Sequence, residues 1–222
     1  MGGLNVALDD RPGEATDFHG YVPEMGHGLE HNPLLAIVGP RPIGWISTVS
    51  AEGHRNLAPF SFFNLLRPAP PLLAFSVGGA KDSLANVRET GRFVWNLVTR
   101  PLAEAMNMTS VEVPYDVDEF KIAELDCGPS SFGMPGYVAK SPVSMDCVVT
   151  EIVEMKDRHG DFAGSTLIIG EAVYIRIARY LLNEGNYDAL AAQPVLRGGG
   201  PSDYFEVKRS GHFAMQRPQI QP

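Results

Sequence analysis

Apolar positions along the chain fall into short runs separated by Gly-, Pro- and Asp-rich breaks. This pattern predicts a mainly β, antiparallel protein with a few peripheral helices. Ile43 to Val49 is β-branched and aromatic and reads as a strand. Ser50-Ala-Glu-Gly-His54 is a turn, and Arg55 to Phe63 returns as a second strand with Pro59 marking an edge or bulge. Arg67-Pro-Ala-Pro-Pro71 reads as a rigid connector, Leu72 to Val77 as a buried strand and Phe93 to Val98 as another. Ser144 to Met155 and Thr166 to Ala178 are long strands joined by the polar turn Lys156 to Asp161, and Tyr204 to Val207 is a last short strand. Asp82 to Thr90 has helical spacing: Leu84 and Val87 share a face, Asp82 or Ser83 can cap it, and Gly91 is the stop. Further helical stretches are expected over Pro101 to Met108, Val117 to Ala123 and Tyr187 to Ala192. Six or more strands with hairpin connections suggest a closed antiparallel barrel with helices outside it.

Residues 1–30 lack periodicity and read as an irregular N-terminal arm, suited to lie over a neighbouring subunit. Residues 31–208 form the expected domain, and 209–222 a C-terminal tail without an assigned role. The formal net charge of −8 argues against a nucleic-acid surface or an anionic membrane as partner. No apolar run reaches the ~18 residues that suggest a membrane span, and the N-terminus lacks the basic region of a signal peptide. Cys127 and Cys147 have neither CxxC nor metal-type spacing. The expectation is a cytoplasmic protein with reduced, structural thiols and no bound metal. His27 and His31 are four apart, but no helix aligns them.

Candidate chemistry lies in three places. A helix start at Lys81-Asp82-Ser83 combines unpaired backbone N–H groups, a lysine and a hydroxyl, which suits a phosphate without a P-loop. Alternation sends Trp45 and Ser47 to one face of the first strand, and Thr48 and Ser50 to the other, where two hydroxyls could meet one phosphate. Asn64 ends the second strand in this reading, where its amide could meet the polar edge of a heterocycle. Asn86 lies three residues after Ser83 and can face the same way. Each also has a plain structural reading: a capped helix, an alternating strand, a core tryptophan, a turn asparagine. No Ser-His-Asp set or nucleophile elbow is present, nor a strand–GxGxxG–helix unit for a separate dinucleotide domain.

In order and spacing, these segments resemble the flavin reductase-like, FMN-binding split-barrel family. The resemblance rests on Arg41-Pro-Ile43, Ser47-Thr-Val-Ser50, Pro59-Phe-Ser-Phe-Phe-Asn64, Lys81-Asp-Ser-Leu84 and Phe93-Val-Trp-Asn-Leu97. Val117-Asp-Glu-Phe120, Ser141-Pro-Val143 and Arg197-Gly-Gly-Gly200 with Tyr204 extend it. It implies a split antiparallel β-barrel with FMN in a groove at a homodimer interface. It implies phosphate contacts from Ser47, Thr48 or Ser50 and from Lys81, Ser83 and Asn86. It also implies backbone contacts to the ring from Ser61, Phe62 and Phe63, with Asn64 nearby and Trp45 among the cofactor-binding candidates. The flavin would carry the chemistry, so no catalytic side chain is expected. Two readings stay open: a reductase taking a hydride from NADH or NADPH and supplying a partner monooxygenase, or a flavin-binding electron carrier without nicotinamide activity. A dimerising module that binds no flavin is disfavoured by the phosphate-type residues.

Overall fold

In the computed structural model, residues 18–129 and 133–218 are described. The first seventeen residues of the expected arm, and the last four of the tail, lie outside them. Residues 18–30 are irregular apart from a 3-10 turn at Pro23–Met25. A single helical turn, α1 (Leu34–Ile37), leads to the short strand β1 (Arg41–Pro42).

Six elements then alternate along the chain: β2 (Gly44–Val49), β3 (Arg55–Phe60), β4 (Phe63–Pro68), β5 (Pro71–Gly78), α2 (Asp82–Thr90) and β6 (Arg92–Asn96). They are followed by α3 (Ala103–Met108), α4 (Glu119–Ile122), the small pair β7 (Cys127–Gly128) and β8 (Tyr137–Val138), and the long hairpin β9 (Val143–Lys156) and β10 (Phe162–Ile177). A minor hairpin, β11 (Leu182–Asn183) and β12 (Asn186–Tyr187), precedes β13 (Val195–Arg197) and β14 (Tyr204–Glu206).

Seven strands form one sheet in the order β3-β2-β6-β9-β10-β5-β4, every pairing antiparallel. The Ser50–His54 turn sets the β2–β3 register, with Gly53 at φ 92°; positive φ is where glycine carries no steric penalty. The Asp157 carboxylate holds the β9–β10 turn by accepting from the His159 and Asp161 N–H groups.

The two edge strands are consecutive in sequence. β3 ends at Phe60 and β4 begins at Phe63, on the opposite edge of the sheet. Three residue steps reach about 10 Å at most, so a seven-stranded sheet can meet this requirement only by rolling up until its edges approach. Gly44 of β2 completes the approach. A Cβ there would lie 2.8 Å from Cδ2 of Phe63, so the missing side chain lets the Phe63 ring press on the opposite wall. Phe63 in turn stacks on Trp95, with centroids 5.6 Å apart. β3 and β4 share no ladder among the described residues. The barrel is therefore split, and the expectation of closure is corrected.

β2 is buried on both faces, and its two hydroxyl residues, Ser47 and Thr48, are buried with the apolar ones. Ile46 joins the barrel core with Phe75, Phe93 and Ile168. Trp45 enters a second core with Leu57, Met106, Phe120 and Val195 beneath the outer helices.

Four other expectations change. The second strand does not run to Phe63: it stops at Phe60, the chain crosses the split, and Asn64 belongs to β4. Arg67–Pro71 is no separate connector but the tip of the β4–β5 hairpin, with Pro68 opposite Pro71. Neither Asp82 nor Ser83 caps α2; Lys81 holds the cap position with no side-chain bond. Tyr187 to Ala192 is not helical. Glu184 and Gly185 both take positive φ, closing the β11–β12 hairpin, and the Asp188 carboxylate then accepts from the Leu190 and Ala191 N–H groups, a local bond that competes with a helix.

The Gly44–Phe63 approach makes a direct prediction. Gly44→Ala should lower stability by about 1–3 kcal/mol, because the Phe63 ring is pinned by Trp95 and cannot withdraw. Adding Phe63→Leu should recover part of the loss. Denaturant unfolding of both variants measures this; an unchanged midpoint for Gly44→Ala would show that the wall is soft.

Candidate functional site

The link Ser61–Phe62, where the chain crosses the split, lines three hollows. The largest, about 650 Å³, is walled by Pro59, Phe60, Ser61 and Phe62 on one side and by Ala80 to Ser83 on the other. A second, about 330 Å³, runs past Ser61, Phe62, Phe63 and Asn64 toward Pro40 to Pro42. A third, about 440 Å³, opens between Arg41, Arg197 and Phe62. The Arg41 guanidinium lies 5.5 Å from the Phe62 ring centroid. All three fall in the size range of small-molecule sites.

Of the residues singled out by sequence, Ser61, Phe62, Lys81 and Ser83 share the larger hollow, while Phe63 and Asn64 share the smaller one with Ser61 and Phe62. Asn64 is exposed, and its side-chain Oδ1 accepts from the Leu65 N–H. Trp45, Ser47, Thr48, Ser50 and Asn86 do not line either hollow; they lie beneath. Trp45 is fully buried and donates to Thr109 Oγ1 at 2.9 Å. Ser47 donates to the Gly136 carbonyl at 2.6 Å. Ser50 Oγ is spent on the turn, accepting from the Glu52 and His54 N–H groups.

Thr48 and Asn86 belong to a buried polar chain. Asn86 donates to Thr48 Oγ1 (3.0 Å) and accepts from the Tyr115 hydroxyl (2.8 Å). Asn56 donates to Thr48 Oγ1 (3.3 Å) and to Ser83 Oγ (2.7 Å). A hydrogen-bonded chain of this kind fixes the first turn of α2 and the loop carrying Tyr115 to the same strand. Sequence reasoning missed Asn56, although the Ser50–His54 turn places it directly opposite Thr48. It also missed the wall formed by Thr109 to Val113, which has no periodic signal of its own.

The electrostatics of the larger hollow are mixed. The α2 N-terminus has no side-chain cap, so its first N–H groups and the positive end of the helix dipole face outward. The Lys81 ammonium is engaged by Glu112 at 2.6 Å, an exposed ion pair. That partner holds the Glu112 carboxyl below its ordinary value. Glu119 lies in the wall, buried, and accepts from the Leu57 N–H at 3.0 Å. Burial pushes its carboxyl up, its own and the Leu57 N–H groups work against this, and the Asp82 and Asp118 charges add to the rise. Asp118 is itself paired with Arg55, whose Nε lies 3.0 Å away. An uncapped helix start, a lysine and a hydroxyl at one end, with an apolar, aromatic-edged link at the other, fit a ligand with a dianionic phosphate and a flat ring. Neither thiol is in a disulfide, and burial pushes Cys127 above the ordinary thiol value and Cys147 well above it.

The described strands, their order and this groove define a split-barrel protein. Residues 39–191 match the flavin reductase like domain, and the chain belongs to that family. It is 37% identical over 191 residues to an uncharacterized protein of Aquifex aeolicus, covering 82% of this chain and 91% of that one. Among solved structures, nitrilotriacetate monooxygenase component B from Bacillus cereus superposes with a TM-score of 0.76 at 27% identity, covering 82% and 90% of the two chains. The 2-nitrobenzoate 2-nitroreductase NbaA of Pseudomonas fluorescens gives 0.73 at 27% identity, covering 85% and 90%. Family membership supports flavin reduction as the general chemistry. No helix among the described residues is long and apolar enough to cross a membrane.

The buried Glu119 predicts a pH effect on stability. Its folded-state value lies above the unfolded one, so the native state binds the proton more tightly and stability falls as pH rises through that interval. Glu119→Gln keeps an acceptor for Leu57 but cannot ionise. Its advantage over the native chain should be near zero below the ordinary carboxylate value of about 4.3 and should grow as pH rises past it. Denaturant midpoints across a pH series check this; an advantage that is independent of pH would refute the assignment.

Proposed function

We propose that the chain is an FMN-dependent oxidoreductase that takes a hydride from NADH or NADPH, with the flavin lying along the Ser61–Phe62 link. One observation carries the reading. Ser61 and Phe62 belong at once to the hollow that holds Lys81 and Ser83 and to the hollow that holds Phe63 and Asn64. A single elongated ligand thus has a phosphate-type end and a ring-type end joined by one stretch of backbone. Bound flavin would supply the hydride acceptance and the electrons passed on. Lys81, the Ser83 hydroxyl and the start of α2 hold the phosphate. Thr48, Asn56 and Asn86 position that turn without touching the ligand. Phe62 and Phe63 shield the ring from water, and Asn64 supplies an amide at its edge.

The site works as a homodimer interface in this reading. β10 exposes Val173, Tyr174 and Ile175 in succession, and β4 exposes Leu65 and Leu66, more apolar surface than isolated scattered residues would give. Similarity to nitrilotriacetate monooxygenase component B favours a partner monooxygenase as acceptor. Similarity to 2-nitrobenzoate 2-nitroreductase favours a small aromatic acceptor reduced directly. A pure electron carrier remains the alternative that the donor test decides.

The test is an absorption spectrum of the protein loaded with FMN, freed of unbound flavin and given NADH or NADPH without oxygen. A retained spectrum that bleaches supports the reductase; one that persists favours the carrier; no retained flavin at any protein concentration overturns the site. Lys81→Ala should weaken FMN by about 1–3 kcal/mol, the scale of a charge-assisted contact, and leave riboflavin, which lacks the phosphate, unchanged. Glu112→Gln should do the reverse, tightening FMN alone, since it frees Lys81. Sedimentation should show a dimer in the flavin-loaded state.

A further inference from the structure

The third hollow, between Arg41, Arg197 and Phe62, plays no part in holding the flavin, yet it adjoins the ring end of the groove. Arg41, Ser61 and Phe62 line both this hollow and the one that holds Phe63 and Asn64. Its other walls are Glu30 to Asn32, Leu35 and the glycine-rich loop from Gly198 to Pro201.

We propose that this hollow binds an oxyanion, carboxylate or phosphate, carried by the substrate that exchanges electrons with the flavin. The inference rests on the proposed function for the place of the ring, and on the hollow's own charges for the anion. Two guanidiniums line it. Arg41 donates to the Leu35 and Val38 carbonyls at the end of α1 and to the Gly198 carbonyl at 3.1 Å, and its buried Nε has no hydrogen-bond partner. Arg197 donates to the carbonyls of Gly200, Pro201 and Asp203. Carbonyls orient a guanidinium without cancelling its charge, and neither arginine forms an ion pair with a described residue. The one carboxylate in the lining, Glu30, turns to water: its side chain is 91% exposed, with His31 at 3.9 Å. Asp203, outside the lining, is taken up by the Gly200 N–H at 3.1 Å. In a chain with a net charge of −8, this hollow carries two cations against one solvated anion.

The donors are also fixed in advance. Gly199 packs so closely on Ala36 that a Cβ there would overlap it, which ties the glycine loop to α1. The carbonyl bonds then hold both planar forks, the geometry that suits a carboxylate or a phosphate. Groups held in place beforehand lose little entropy on binding. The shared wall of Ser61 and Phe62 puts the rest of a ligand anchored here beside the flavin ring. Two kinds of substrate carry such a group: a dinucleotide hydride donor, through its pyrophosphate, and a small acceptor, through a carboxylate.

Two matched pairs of probes test the assignment on the full chain: NAD+ against nicotinamide riboside, which lacks the pyrophosphate, and benzoate against benzamide. Calorimetry reads binding to the flavin-free chain, and the absorption of bound FMN reads it in the loaded chain. At least one anionic probe should bind saturably in both forms, more tightly than its neutral counterpart, and perturb the flavin spectrum. A response of the first pair identifies the donor as the source of the anion, and of the second pair the acceptor. Added salt should weaken the anion and leave the neutral probe unchanged. Arg197→Gln should weaken the anion about five- to tenfold, the scale of one charge-assisted contact, and Glu30→Gln should tighten it. Arg197 also braces its own loop, so circular dichroism checks that variant, while the exposed Glu30 and the salt series read the charge without disturbing the fold. Equal affinity for neutral and anionic probes, no saturable anion binding, indifference to both substitutions, or an unperturbed flavin spectrum would each overturn the proposal. If the chain retains no FMN, the flavin reading fails while calorimetry still decides the anion; if FMN is retained and the anion ignores both substitutions, only this inference fails.

Discussion

The fold depends on a length constraint: two residues, Ser61 and Phe62, join opposite edges of a seven-stranded sheet. So short a link leaves the sheet no freedom to stay open, and it also prevents the edges from zipping, because the chain itself occupies the gap between them. The hollows around the link are therefore a product of the topology. A groove of this origin needs no loop to build it, and its main-chain groups are set by the two strands on either side. Gly44 is the compensating feature across the gap: its missing side chain accommodates a ring that the short link forces inward.

Beneath the groove, polar residues do the work of fixing shape. The chain from Ser83 through Asn56, Thr48 and Asn86 to Tyr115 ties a helix, two strands and a loop together, buried as far as Asn86 and reaching the surface at Tyr115. Buried polar groups of this kind are costly when left unpaired, so the loss of one member disturbs its neighbours. The distinction from Lys81 is physical: Lys81 can meet a ligand, while Thr48 and Asn86 can only move the surface that does.

Much of the barrel was legible because hairpin signals are local. The Ser50–His54 turn and the Lys156–Asp161 turn each specify a register, and the long strands around the second follow from length and β-branched content. The edge position of β3 was legible from Pro59. The crossing at Ser61–Phe62 was not: Phe60, Phe62 and Phe63 continue the apolar pattern of a strand, and nothing local reports that pairing passes to the far edge. The same blindness put Asn64 on the wrong strand. The helix read over Tyr187–Ala192 failed because two positive φ angles and the Asp188 carboxylate won over spacing. At the site, the residue types that suit a phosphate were visible in sequence. Which of them line a cavity depends on the direction of each side chain: Lys81 and Ser83 face it, whereas Ser47, Thr48 and Ser50 spend their hydroxyls inside the fold.

The Lys81–Glu112 pair has a kinetic meaning. An exposed carboxylate already within reach of the cation is a tethered competitor for any phosphate that lands there. Its local concentration is fixed by the loop, so it can re-engage the lysine as soon as a phosphate loosens and shorten the ligand's stay. A phosphate held beside such a displacing anion would exchange faster than one held by an unpaired lysine.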